Sequence, residues 1–144
     1  MPGPSQESTA TVASPRRFFS VAEANRTLPY IARVVADVVA LFRDARDLQR
    51  LIRDAAPGEA VEALRDRLVE AFERSNACVG ELQAVGVELA DYQVGIVDFP
   101  SLLEGREVRL CWRLGEAGVE HWHEAGEGHG SRRRIGLAPL DVAR

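Results

Sequence analysis

From Ile31 to Val85 apolar residues recur at a three–four spacing, and the pattern breaks once, at Ala55-Ala56-Pro57-Gly58. Before the break the stripe runs Ile31, Val35, Val38, Phe42, Ala45 and Ile52, widened by Val34, Leu41 and Leu48. After it comes a heptad seam: Val61, Leu64, Leu68, Ala71, Ser75, Cys78, Leu82 and Val85. Each stripe must be buried, and two helices joined by so short a link must run antiparallel against each other. Ser20-Val21-Ala22-Glu23 fits a capping box at the start of the first helix. Pro29 is expected to kink that helix or to open a second one. Gly86 suits the left-handed residue that ends the hairpin.

Beyond Gly86 the apolar period changes to two. Strands are predicted over residues 94–99, 108–114 and 119–124, with a weaker one at 87–89 and a four-residue turn at 115–118. The predicted class is α+β: a long antiparallel helical hairpin followed by a three- to four-stranded antiparallel β-meander. Residues 1–17 read as a disordered N-terminal tail. Residues 18–144 read as one domain, with the hairpin at about 20–86, the meander at about 87–124 and an irregular segment at 125–144. The net charge of −4 with interspersed signs makes no case for nucleic-acid binding. No apolar run reaches the roughly 20 residues that span a bilayer. The tail lacks the order of a signal peptide, so a cytoplasmic protein is expected. Two cysteines, Cys78 and Cys111, make no disulfide framework.

The turn at 115–118 predicts the register of the last hairpin. It pairs Leu114 with Val119, Arg113 with Glu120, Trp112 with His121, Cys111 with Trp122, Leu110 with His123 and Arg109 with Glu124. The cross-strand charges then match in sign. On this register His121 and His123 share the helix-facing side with Leu110 and Trp112. Cys111 and Trp122 take the other side, beside an Asp98–Arg109–Glu124 cluster. A Cys-His-His zinc site is thereby disfavoured, and the second face needs cover from the C-terminal segment or a partner chain. A helix of about 27 residues is roughly 40 Å long, while three or four strands span only about 14–19 Å. The hairpin outreaches the sheet, so a homodimer through the helical hairpin is expected.

Several segments together resemble the prokaryotic family of unknown function DUF2203. They are Phe19-Ser20-Val21-Ala22-Glu23-Ala24-Asn25 with Leu28-Pro29, Val97-Asp98-Phe99-Pro100, Gly105-Arg106-Glu107-Val108, Cys111-Trp112-Arg113-Leu114-Gly115-Glu116 and Trp122-His123-Glu124. The resemblance covers roughly residues 18–134. It implies no activity. It does separate the histidines: the family pattern has aromatic residues where His121 and His129 stand, and only His123 falls on the motif.

His121 and His123 are two apart on one strand, so both rings project the same way. With a carboxylate, Glu23 at the helix start or Glu104 from a loop, they compose a metal site for iron or zinc. Haem is a variant of that reading. The plainer account is two satisfied histidines at a core edge, with Glu23 as a cap. Glu124, Asp98 and Arg109 are the candidate acid–base residues, and an ion-pair ladder is the plainer account of them. Cys111 between two arginines is a candidate reactive thiol. Arg132 to Arg134 read as an exposed charge run, and His129 as a loop residue able to close over a ligand. Two functions compete: a small metal- or ligand-binding protein with its site near His123, and a homodimeric scaffold without chemistry.

Overall fold

The computed structural model describes residues 17–136. Two helices, α1 (Val21–Arg53) and α2 (Glu62–Val85), precede five strands: β1 (Glu88–Asp91), β2 (Ile96–Leu103), β3 (Arg106–Arg113), β4 (His121–Glu124) and β5 (Arg133–Arg134). The strands form one antiparallel sheet in chain order. The expected α+β class holds, with a fifth strand supplied by the segment that had no assigned structure. No helix among the described residues is long and apolar enough to cross a membrane. The tail at 1–16 and the residues beyond 136 lie outside the described part.

The capping box forms: Ser20 Oγ accepts from the Glu23 amide at 3.0 Å, and Glu23 Oε1 accepts from the Ser20 amide at 2.9 Å. Pro29 does not open a second helix: α1 is a single element of 33 residues with the proline inside it, about 50 Å at 1.5 Å per residue. Leu28 and Ile31, on either side of the proline, are both anchored in the core. α2 ends at Gly86, whose φ of 102° places it in the left-handed region.

The first half of α1 and the end of α2 cover one face of the sheet. Leu28, Ile31, Val34, Val35 and Leu82 pack with Val97, Phe99, Leu110 and Trp112. Phe19 meets Phe99 edge to face at 5.3 Å. The β1–β2 turn lies close beneath α1. A Cβ on Gly95 would stand 2.9 Å from Val35 Cγ1, and its φ is +82°. The distal hairpin has only a small core of its own, Leu41, Ala45 and Ala71.

The last hairpin departs from its predicted register by one residue. Cys111 pairs with His121, Leu110 with Trp122, Arg109 with His123 and Val108 with Glu124. The connection at residues 114–120 is not a tight turn. Val119 leaves the ladder and is buried to 2% exposure in the helix-facing core. The Asn25 side chain brackets it: Oδ1 accepts from the Val119 amide at 2.8 Å, and Nδ2 donates to the Val119 carbonyl at 3.4 Å. Trp112 Nε1 donates to the Glu116 carbonyl at 3.0 Å and pins the same loop. The shift brings Trp122, in place of His121 and His123, to the helix-facing side. Covering a large apolar side chain is worth about 1.5–3 kcal/mol, whereas exposed ion pairs contribute about 0–1 kcal/mol each, so the charge pairs that favoured the other register are outweighed.

Asn25→Ala should cost about 1–3 kcal/mol, because it strands the buried Val119 amide. Urea unfolding checks this. Gly95→Ala should destabilise by a similar amount through strain and overlap with Val35.

Candidate metal centre

The one-residue shift reverses the faces of β4. Trp122 packs toward the helices. His121 and His123 project to the outer face, alongside Cys111 on β3 and Asp98 on β2. Asp98 pairs with Cys111 in the ladder, and Arg109 pairs with His123. An Asp98 oxygen, the Cys111 sulfur and a His123 ring nitrogen lie within 4.8 Å of one another. Cys111 and His123 are buried, and Asp98 is 9% exposed. Three neighbouring strands thus deliver one oxygen, one sulfur and one nitrogen donor to one point.

The hydrogen bonds of His123 select what this point can do. Nδ1 lies 2.8 Å from the Glu124 carbonyl, which can only accept. The ring proton therefore belongs on Nδ1, the assignment that bond requires. Nε2 is left facing Asp98 Oδ1 at 3.2 Å. A bare imidazole nitrogen and a carboxylate oxygen are both acceptors, so they sit at that distance only with a proton or a cation between them. Backbone anchoring of the opposite nitrogen is the usual support of a metal-ligating histidine.

Cys111 does not fit the reactive-thiol reading. Burial pushes its pKa up to about 11, and the Asp98 charge adds to the effect, against partial opposition from Arg132. Both His123 nitrogens are engaged elsewhere, so His123 has no free ring nitrogen with which to deprotonate the thiol. A cation would instead replace the thiol proton.

The other candidates are dispersed. The Asp98–Arg109–Glu124 cluster does not form, because the register that would build it is not adopted. Glu124 is held by Arg106 at 2.8 and 3.1 Å, which keeps its pKa below the usual carboxylate value. Arg109 bonds Glu88 and lies 3.4 Å from Glu107. Glu120 stands 4.0 Å from Arg134 rather than beside Arg113. Glu23 uses its carboxylate in the cap and lies outside the donor trio. Glu104 occupies the β2–β3 turn, 3.9 Å from Arg106. His121 shares the trio's face but is not part of it; its Nδ1 is buried with no hydrogen-bond partner among the described residues.

Two residues of the site escaped the sequence reading. Arg132 is not a free surface charge: it makes a bidentate ion pair with Glu116 and acts electrostatically on the Cys111 thiol. Burial would raise the Glu116 pKa, but Arg132 and the Arg113 amide hold it below the normal value. Only the structure brings these distant residues together.

The DUF2203 family, described as an uncharacterized conserved protein, matches residues 17–135. The chain belongs to that family. The match spans all five strands and both helices, so the trio lies within the DUF2203 unit. No curated protein and no solved structure matches the chain.

Asp98→Asn and Glu124→Gln should separate site from surface. The first removes the charge facing a buried ring nitrogen and should cost about 1–3 kcal/mol. The second breaks an exposed pair and should cost less than about 1 kcal/mol. Paired urea unfolding curves compare them.

Proposed function

We propose that this protein binds a single transition-metal ion, zinc or ferrous iron, through Asp98, Cys111 and His123. The observation that carries the reading is the convergence of a His123 ring nitrogen, an Asp98 oxygen and the Cys111 sulfur within 4.8 Å of one another at a buried point. A mixed nitrogen, sulfur and oxygen donor set suits zinc, and iron accepts the same ligands. The two ligand charges, carboxylate and thiolate, would neutralise a divalent ion. His121 is the candidate for a fourth position, because its Nδ1 is buried without a partner on the same face. Three protein ligands with one further position is also the plan of metal sites that do chemistry. Metal-assisted chemistry on a small molecule is the enzymatic form of this reading.

Protein purified without a histidine tag should take up one equivalent of zinc in a calorimetric titration. His123→Ala and Cys111→Ser should each weaken binding by more than the roughly 10–100-fold that loss of an outer-shell partner costs. Cobalt in place of zinc should show a sulfur-to-metal charge-transfer band that Cys111→Ser abolishes. Protein that takes up no metal on titration sinks the reading.

A second reading concerns assembly, and a separate observation favours it. The distal hairpin exposes Leu51, Val69 and Phe72 to 55%, 54% and 46%, and among the described residues no third layer packs on it. We propose that a second copy of this chain covers it, making a four-helix arrangement about a two-fold axis. The groove between the helices carries Asp44 and Glu70 beside Arg67 and Arg74. That mixture of signs suits a self-complementary contact better than a partner of one charge. Light scattering should report a dimer at micromolar concentration and a monomer for Phe72→Glu. A monomeric wild-type mass overturns it.

A further inference from the structure

The outer face of the sheet is buried, yet both helices pack on the opposite side. Ile96 is 1% exposed, Cys111 0% and His123 1%. Among the described residues the cover is the strap at residues 125–135. It leaves β4 after Glu124 and turns through a short 3-10 helix at His129–Ser131. His129 lies within electrostatic reach of Asp91 on β1, the opposite edge strand of the sheet. The strap returns as β5, with Arg133 opposite Trp122 and Arg134 opposite His121. Arg133 lies over the Trp122 ring at 4.8 Å. Alternation then puts Arg132 on the outer face, where it reaches the Cys111 side chain and Glu116.

The strap is held by little else. A Cβ on Gly126, Gly128 or Gly130 would meet nothing within 4 Å, and only Ile135 packs against the main core. Arg133 makes ion pairs at 4.0 Å with Glu124 and 3.6 Å with Glu127, all partly exposed. The bidentate Glu116–Arg132 pair is the strongest kind of contact the strap makes. It ties the strap to the β3–β4 connection, where Glu120 also meets Arg134 at 4.0 Å.

We infer that residues 125–135 are a door over the donor trio, latched by the Glu116–Arg132 ion pair. The half concerning metal rests on the metal reading above: Arg132 supplies the positive charge beside Cys111 until a cation replaces it. Ion and guanidinium repel each other and compete for one sulfur, so the latch opens as the ion enters. The door itself needs no metal to be tested.

Cys111 is fully buried and can react with an alkylating reagent only when the strap lifts. Cys78, half-buried on the helical seam, serves as a clock for loosening elsewhere. The full chain is treated with iodoacetamide in chelator-treated buffer, and each cysteine is followed by peptide mass. Glu116→Gln, which leaves Arg132 in place, should speed Cys111 labelling about tenfold or more while Cys78 labels at the wild-type rate. Arg132→Met should do the same. An unchanged Cys111 rate in both variants overturns the door. So does a parallel rise at Cys78, which would report general loosening. Repeating the assay with zinc separates the two ideas. Zinc that fails to protect Cys111, while Glu116→Gln still accelerates it, overturns the metal reading and leaves the door standing. Protection by zinc with no acceleration in either variant does the reverse.

Discussion

The bracket of Asn25 around Val119 is the contact on which the rest of the sheet depends. Asn25 sits on the second turn of α1, and Val119 lies 94 residues further along the chain. Drawing Val119 into the core lengthens the β3–β4 connection and sets the phase of β4. Side chains alternate strictly along a strand, so that phase decides the face of every residue after it. Trp122 goes under the helices. His123 goes to the outer face, into line with Cys111 and Asp98. A contact on the helix-facing side thereby brings the three donors of the candidate site together on the opposite side.

Two kinds of electrostatics are kept apart by burial. Around the rim, Arg106 with Glu124, Arg109 with Glu88 and Arg134 with Glu120 are partly exposed pairs, and water screens them. At the centre, Asp98 and His123 are shielded, so an unpaired acceptor there is costly. That contrast makes the trio a stronger candidate for chemistry than the larger number of charges surrounding it. It also explains the thiol: the same burial that shields the trio pushes the Cys111 pKa up to about 11.

Cohesion is unevenly spread over the molecule. The main core binds the first half of α1, the end of α2 and the inner sheet face. The distal hairpin and the strap each lie outside it, and both are regions where something else is expected to engage. In the hairpin the deficit is apolar surface left exposed. In the strap it is a lack of apolar packing, with ion pairs in its place.

Much of the architecture was legible in the chain. The three–four stripes, the capping box at Ser20 and Glu23, the terminator Gly86 and the change to period two required a helical hairpin followed by an antiparallel sheet. The inward residues of β2 and β3 followed from alternation alone, and the helix-facing Val97, Phe99, Leu110 and Trp112 are where that alternation puts them. The phase of β4 was not legible. Two registers one residue apart each satisfy local rules, and the one with matched surface charges is the weaker. Packing of Trp122 under the helices, with Val119 held by Asn25, decided between them, and that packing exists only once the helix lies on the sheet. Arg132 was hidden for the same reason, since its partners Glu116 and Cys111 come from other strands and loops. Local periodicity therefore specified the elements and their order. Tertiary packing specified which side of the sheet holds His123, and with it the meeting of Asp98, Cys111 and His123.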